Sequence, residues 1–325
     1  MCLGPGSVHE NRRQLSNFHQ GASKPSNFQH DVVSPVTKPR ESQLNKAKTQ
    51  DLVLVRGGSL LMGSTAFYIE ESPTTSVEID DVLIQSKLVT NAQFRDFVSD
   101  SGYVTTAERN DREGSVVFVG TEGPVALNDW RKWWAWVPGA SWHHPEGPES
   151  DLKARMDHPV VHVSLHDARA YAAWAGLALP QEPEWEWCAR GGIEGATYIW
   201  GEEPNQGETL FANTWQGDFP FDNHGAHGWK GTSPVGTFPA NGYGLFDMAG
   251  NVWEWTESSW QDTPSAHCCC SGSKAGGDLK IIKGGSHLCS PQYCLRFRPA
   301  ARSPQEAGES TSHLGFRCIS RQRPQ

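Results

Sequence analysis

The chain has 325 residues, of which 20% are charged, and its formal net charge is −9. This acidic balance argues against nucleic-acid binding, because such proteins concentrate Lys and Arg against phosphate. No window approaches the ~18 apolar residues of a membrane span. The start of the chain also lacks the apolar run of a secretory signal. These features predict a cytoplasmic protein that binds neither nucleic acid nor membrane.

The first 50 residues are poor in large apolar side chains and rich in Ser, Gln, Asn and Lys. Such a segment cannot bury enough surface to offset its ordering entropy. We therefore predict a disordered leader over residues 1–50 and one α+β domain over residues 51–325. The 14 tryptophans of the chain predict a core built largely from indole rings.

Three helices are predicted along this domain. The first begins at Thr90, which forms a capping box with Gln93 ahead of several apolar residues. The second begins at Ser164 and ends near Gly176, a residue suited to the left-handed position that closes a helix. The third follows Pro183.

Short strands are predicted at residues 52–55, 233–237 and 280–283, and most of the remaining chain is loop. Long loops in a compact domain need either a function or a feature that stabilises them. Bound metal ions would be one such stabilising feature.

The cysteines of the chain do not follow a disulfide pattern, since three of the eight are contiguous at Cys268–Cys270. Unpaired cysteines in a cytosolic chain are metal ligands, reactive thiols or buried small hydrophobes. Cys289 and Cys294 lie five residues apart around a proline, so that a turn can bring them together. Paired thiolates suit Cu(I). They could equally form a redox disulfide or be two buried core residues, and the spacing alone leaves all three interpretations open.

A longer set of motifs surrounds this pair. Residues 283–302 read Lys-Gly-Gly-Ser-x-x-Cys-x4-Cys-x-Arg-Phe-Arg-x-Ala-Ala-Arg, and residues 314–318 read Leu-Gly-Phe-Arg-Cys. Together they resemble the C-terminal signature of the formylglycine-generating enzymes. Further blocks resemble that family in the same order, at residues 57–63, 89–94, 142–147, 158–164, 184–187, 212–217 and 241–255. The resemblance covers residues 52–320.

The resemblance implies a C-type-lectin-like fold with little regular secondary structure. It also implies a copper-dependent oxidase in which Cys289 and Cys294 bind Cu(I). In that family a cysteine in a C-x-P-x-R motif of an extended sulfatase peptide joins the copper, and O2 converts it to Cα-formylglycine. Ser286 aligns with an active-site serine of the family, and the alternative is that it only stabilises a turn.

The resemblance further implies a Ca²⁺ site formed by Asp247, Gly250, Val252 and Glu254. Two acidic side chains and two backbone carbonyls would supply the oxygen ligands that Ca²⁺ prefers. The alternative for Glu254 is a salt bridge to an arginine.

A second Ca²⁺ site of the family aligns with Asn213, Thr214, His227 and Trp229. His227 stands where an aspartate is expected, and imidazole is a poor ligand for calcium. We expect this site to be weak, absent or rebuilt around nearby acids, for which Asp218 and Asp222 are the candidates.

Residues that line the peptide groove of the family align with Ala107, Trp142 and His313. The arginine of the substrate motif needs a carboxylate partner, and Asp111 and Glu113 are the candidates. The alternative for both acids is a solvated charged loop.

The competing function is a non-catalytic binding module that keeps the lectin-like scaffold for contact with a protein or another ligand. The cysteine pair distinguishes the two hypotheses, because a binding module has no chemical reason to retain it.

Overall fold

The computed structural model describes residues 51–109, 113–204, 209–260 and 278–321. The predicted leader, Asp111 and Cys268–Cys270 lie outside these residues. The described parts contain both helices and strands, all of them short, which agrees with the predicted α+β class and its low content of regular secondary structure. None of the helices described there is long and apolar enough to cross a membrane.

Two small sheets carry most of the strand pairing. The first joins the two ends of the domain in the antiparallel order β1-β4-β11, with β1 at Leu52–Val55, β4 at Val82–Gln85 and β11 at Ile319–Ser320. The second has the order β10-β7-β8-β9, with β7 at Trp253–Ser259, β8 at Leu279–Lys283, β9 at Arg302–Glu306 and β10 at Leu314–Gly315. Two hairpins complete the strands, pairing β2 (Gly58–Met62) with β3 (Thr75–Ile79) and β5 (Gly114–Phe118) with β6 (Trp134–Pro138).

The predicted helices are confirmed. They are α1 at Asn91–Ser101, α3 at Leu165–Ala175 and α4 at Glu182–Arg190, with a four-residue turn of helix, α2, at Thr106–Arg109. Thr90 and Gln93 form the predicted capping box of α1. Gly176 ends α3 with φ 71°, a left-handed conformation that costs glycine little.

The strand predicted at residues 233–237 is wrong, because this segment is a loop. Pro234 has no N–H to donate to a ladder. Gly236 has φ 81° and donates its N–H to Asp247 Oδ2 at 2.7 Å instead of to a neighbouring strand.

The core is rich in indole rings, as the composition predicts. Four tryptophan side chains are fully buried, namely Trp133, Trp185, Trp253 and Trp255. The indole N–H of Trp185 donates to Glu254 at 2.9 Å, and that of Trp255 donates to the carbonyl of Val163 at 3.0 Å. These bonds allow a large apolar ring to be buried without stranding its polar atom.

Candidate active site

A glycine pair connects β8 to the loop that carries the cysteines. Gly284 and Gly285 have φ values of 91° and 70°. A Cβ on Gly285 would lie 2.9 Å from the backbone nitrogen of Phe297 and 3.0 Å from the carbonyl oxygen of Arg296. Only glycine lets the chain leave the strand this close to the segment that follows the cysteines.

The loop brings the two cysteines together as the sequence predicts. The carbonyl of Ser290 accepts the N–H groups of Tyr293 at 3.0 Å and of Cys294 at 2.7 Å, which closes a tight turn. The sulfurs of Cys289 and Cys294 are 3.2 Å apart. A disulfide bond is about 2.05 Å long, so both residues are free cysteines in direct contact.

Ser286 joins the cysteine loop to the C-terminal segment. Its hydroxyl lies 3.0 Å from Nδ1 of His313 and accepts the N–H of Leu288 at 3.2 Å. Its backbone N–H points to the sulfur of Cys289 at 3.4 Å. The ring of His313 meets Trp134 edge to face with centroids 4.7 Å apart. Ser286 therefore contacts one of the cysteines as well as stabilising the turn.

Two residues without a role in the sequence analysis, Tyr68 and Arg296, also belong to this site. The Arg296 guanidinium lies 3.9 Å from the centre of the Tyr68 ring and donates to Glu70 at 2.7 Å. The Tyr68 hydroxyl accepts the N–H of Leu295 at 3.1 Å. Burial alone would lower the pKa of Arg296, but the negative charges of the Cys294 thiolate and Glu70 outweigh it, so the pKa is raised. Arg296 thus supplies positive charge beside Cys294.

The cysteine side chains themselves are fully buried, while the apex of their loop, Pro291 and Gln292, is exposed. Tyr68 is half-buried beside Cys294. Burial is the main cause that raises the pKa of its phenol, Arg296 opposes the shift, and thiolate charge on both cysteines adds to it. A peptide would reach the sulfurs only if a group covering them moved.

The donor set at this loop fits a soft ion. Two sulfurs in contact are the ligands that Cu(I) prefers over hard oxygen donors. The sulfurs would have to move apart to hold an ion between them. Within the described residues no group of three or more His, Cys, Asp or Glu side chains is placed to hold a metal, so copper ligation would rest on this pair.

The first calcium candidate lies directly behind the cysteine loop. Gly250 donates its N–H to the carbonyl of Gly284 at 2.9 Å, and the carbonyl of Asn251 accepts the N–H of His287 at 2.9 Å. Asp247 is buried, and burial raises its pKa to about 6. The carboxylate of Glu254 accepts two bonds from Arg317, at 2.7 and 2.8 Å.

Glu254 therefore forms the alternative salt bridge, with Arg317, but this pair does not use all the oxygen lone pairs of the site. A carboxylate offers about four acceptor positions, and Glu254 uses three of them, for Arg317 and for Trp185. Asp247 accepts only from Gly236 at 2.7 Å and Asn251 at 3.4 Å. Oxygen capacity remains for a cation.

The second calcium candidate has one favourable feature and one unfavourable feature. Asn213 Oδ1 is buried with no hydrogen-bond partner within the described parts of the chain, as an ion ligand would be. His227, by contrast, is exposed and its ring packs 5.3 Å from that of Phe238. Asp218 and Asp222 are exposed, and they bond to Gln292 at 3.1 Å and to His224 at 2.9 Å. Thr214 is buried, and the ring of Trp229 packs against His158.

Of the three peptide-groove candidates, only His313 is seen in contact with the cysteine loop. Ala107 is buried in α2, and Trp142 is buried against Phe94 with ring centroids 5.4 Å apart. Glu113 is exposed at the start of β5, as an acid that receives an arginine would be.

Comparison with known proteins agrees with this geometry. Residues 35–322 match the model of the sulfatase-modifying factor enzyme 1-like domain. The formylglycine-generating enzyme of Mycobacterium tuberculosis is 53% identical over 83% of this chain and 97% of its own length. The inactive C-alpha-formylglycine-generating enzyme 2 of Mus musculus is 38% identical over 86% of this chain and 88% of its own.

Among solved structures, PvdO from Pseudomonas aeruginosa superposes with a TM-score of 0.58 at 22% identity, covering 82% of this chain and 93% of that one. This likeness concerns the fold alone. The family match includes the glycine pair, the two cysteines and the segment behind them in one continuous domain. The chain belongs to the sulfatase-modifying-factor family, whose named enzymes are the formylglycine-generating enzymes.

Proposed function

We propose that this protein is a copper-dependent oxidase that converts the cysteine of a C-x-P-x-R motif in an extended sulfatase peptide to Cα-formylglycine with O2. The observation that carries the proposal is the contact between the sulfurs of Cys289 and Cys294, at 3.2 Å. The name of the M. tuberculosis relative supports the same conversion. Bound Cu(I) would supply the position at which dioxygen is activated. The two electrons removed from the CH2–SH carbon would pass with two protons to O2, the sulfur would leave as sulfide, and water would supply the aldehyde oxygen.

The chain contributes orientation and charge to this reaction. Cys289 and Cys294 would hold the copper ion, and the turn at Ser290 fixes their spacing. Arg296 places a buried positive charge near Cys294, which favours its thiolate. Ser286 and His313 hold the loop against the C-terminal segment, which limits how far the two cysteines can move.

The binding-module alternative has one observation in its favour, namely the likeness to a protein named inactive. The cysteine pair favours the enzyme, and so does the buried guanidinium of Arg296 beside it, since neither is needed for a contact surface. The predicted cytoplasmic location and the unstructured leader stay predictions from the sequence.

Purified protein provides the direct test. We expect it to take up one Cu(I) per chain and to convert a C-x-P-x-R peptide to the aldehyde. Mass spectrometry detects the conversion as the decrease in peptide mass when CHO replaces CH2–SH. A peptide with serine at the cysteine position is the control and should not change. Stoichiometric copper binding without conversion of any such peptide would contradict the proposal.

We expect Ser286→Ala to lower kcat by about a hundredfold with KM little changed. The reason is that the loop loses its link to His313, and small misplacements of reacting groups cost about this factor. Ser115→Ala is the matched control, because Ser115 is likewise a buried serine whose hydroxyl is hydrogen-bonded to a side chain. Its partner is the hydroxyl of Ser310, at 2.7 Å. Equal kcat in the two variants would show that Ser286 only stabilises a turn.

We also propose that Ca²⁺ binds at Asp247 and Glu254 and fixes the segment that supports Gly284. Calcium should then raise the melting temperature of the wild-type protein, by the equivalent of about 2.7 kcal/mol at a hundredfold excess over Kd. The gain should disappear with a chelator and in Asp247→Ala. The exposed Asp80→Ala is the control. An undiminished calcium effect in Asp247→Ala would place the ion elsewhere.

A further inference from the structure

Two exposed apolar side chains flank the residue that reaches the cysteine loop. Phe67 is 42% exposed and Ile69 is 61% exposed, and Tyr68 lies between them. Scattered apolar residues on a surface need no explanation. These two differ because they lie beside the candidate active site, and we refer to residues 67–69 as the Tyr68 segment.

The backbone of the Tyr68 segment directs its side chains to opposite sides. Tyr68 has φ −94° and ψ 144°, an extended conformation, in which successive side chains alternate. Its own ring turns inward, where the hydroxyl meets the N–H of Leu295 at 3.1 Å. Phe67 rests one face of its ring on Arg298 and leaves the rest open to solvent, and Ile69 is open to solvent as well.

The segment is also firmly anchored. The Arg298 guanidinium lies 3.8 Å from the centre of the Phe67 ring, and Arg298 is itself buried against Glu71, to which it donates at 2.9 Å. The Arg296 guanidinium covers the Tyr68 ring at 3.9 Å. The exposed apolar surface is therefore presented by a fixed support.

The position of Tyr68 links this surface to the reaction. The sulfurs of Cys289 and Cys294 are buried, and the half-buried Tyr68 is hydrogen-bonded to the residue that follows Cys294. Because Leu295 directly follows Cys294, the bond from Leu295 to Tyr68 places the segment along the edge of the cysteine loop. A polypeptide whose cysteine approaches the loop from this edge would pass over residues 67–69.

We propose that Phe67 and Ile69 form an apolar docking surface for the substrate polypeptide and receive apolar side chains that flank the C-x-P-x-R motif. This inference rests on the proposed function and adds a determinant of substrate choice. The partner is an extended chain of the target protein, because the surface is continuous with the cysteine site and is only a few residues long. Its contribution is to binding, so it should affect KM rather than kcat.

Two peptides test the proposal. Both contain the same C-x-P-x-R motif, and the flanking residues are leucine in one and serine in the other. In the double variant Phe67→Ser and Ile69→Ser we expect KM for the leucine peptide to rise about tenfold, from the lost burial of two apolar side chains, with kcat within about twofold. KM for the serine peptide should not change. Ile193→Ser is the matched control, since Ile193 is 41% exposed beyond α4.

A binding measurement separates this inference from the proposed function. The same two peptides with serine in place of the reactive cysteine are labelled, and their affinity is measured by fluorescence anisotropy with wild type, the double variant and the control. A preference for the leucine peptide that is lost only in the double variant supports the docking surface even if no peptide is converted. The same leucine preference in the double variant as in wild type overturns it, even if conversion proceeds.

Discussion

Replacing Cys294 with alanine is expected to abolish conversion of the peptide while the fold persists. The variant removes one of the two sulfurs that meet at 3.2 Å, so the remaining thiol can no longer share an ion with a neighbour. Loss of an essential group in a site that acts as a unit costs on the order of a thousandfold or more in kcat/KM. The measurements are the rate of aldehyde formation and the competition for Cu(I) against a coloured chelator.

The chain offers a matched control for this variant in Cys188→Ala. Cys188 is a fully buried thiol in α4, and burial raises its pKa to about 12, which marks it as an inert core residue. Both substitutions remove one buried sulfur, so Cys188→Ala shows what that loss alone does to the fold and to activity. Only Cys294→Ala should lose activity and copper binding. Turnover by Cys294→Ala at the wild-type rate would defeat the assignment of the site.

The helices of this protein are predictable because their signals are local. Thr90 and Gln93, and likewise Ser164 and Asp167, satisfy each other across three residues, and the structure contains both capping boxes. The loop at 233–237 shows the limit of such signals. A strand is predicted there, but the bond from Gly236 to Asp247 depends on a segment eleven positions away.

The candidate active site is likewise predictable only where its signals are local in the sequence. The cysteine spacing indicates a turn, and the family motifs select its chemistry. Tyr68 could not be found in this manner, because it lies 227 positions from Leu295 and no periodic pattern connects them. Arg296 was visible within the motif, but its role depends on a contact with Glu70 that only the tertiary fold creates.

The second large effect is expected at Lys283, the last residue of β8 and the neighbour of the glycine pair. Its ammonium group is fully buried, 3.1 Å from Glu186 and 3.5 Å from Glu182. Lys283→Met should lower the free energy of unfolding by about 1.5 to 3 kcal/mol, because the two carboxylates lose a buried, charged hydrogen-bond donor. Glu186 keeps its pair with Arg190, and Glu182 keeps its pair with Arg302. Urea unfolding measures this loss. The exposed Lys153→Met, which only breaks a surface pair with Asp151, should leave the free energy of unfolding unchanged.

The pH dependence identifies the origin of that loss. Burial alone would raise the pKa of Glu186, but the charges of Lys283 and Arg190 and the N–H of Gly63 outweigh it, so the pKa is lowered. A carboxyl group with a lowered pKa stabilises the fold above its unfolded pKa, and this contribution is lost as the pH falls through the folded value. The difference between wild type and Lys283→Met should therefore be largest near neutral pH and shrink in acid.

Adding Glu186→Gln to Lys283→Met should not restore the wild-type stability, because the buried guanidinium of Arg190 then loses its carboxylate partner. A gap that stays constant from neutral to acid pH would instead assign the loss to packing of the lysine stem against Trp185, whose ring centre lies 5.7 Å from the ammonium nitrogen.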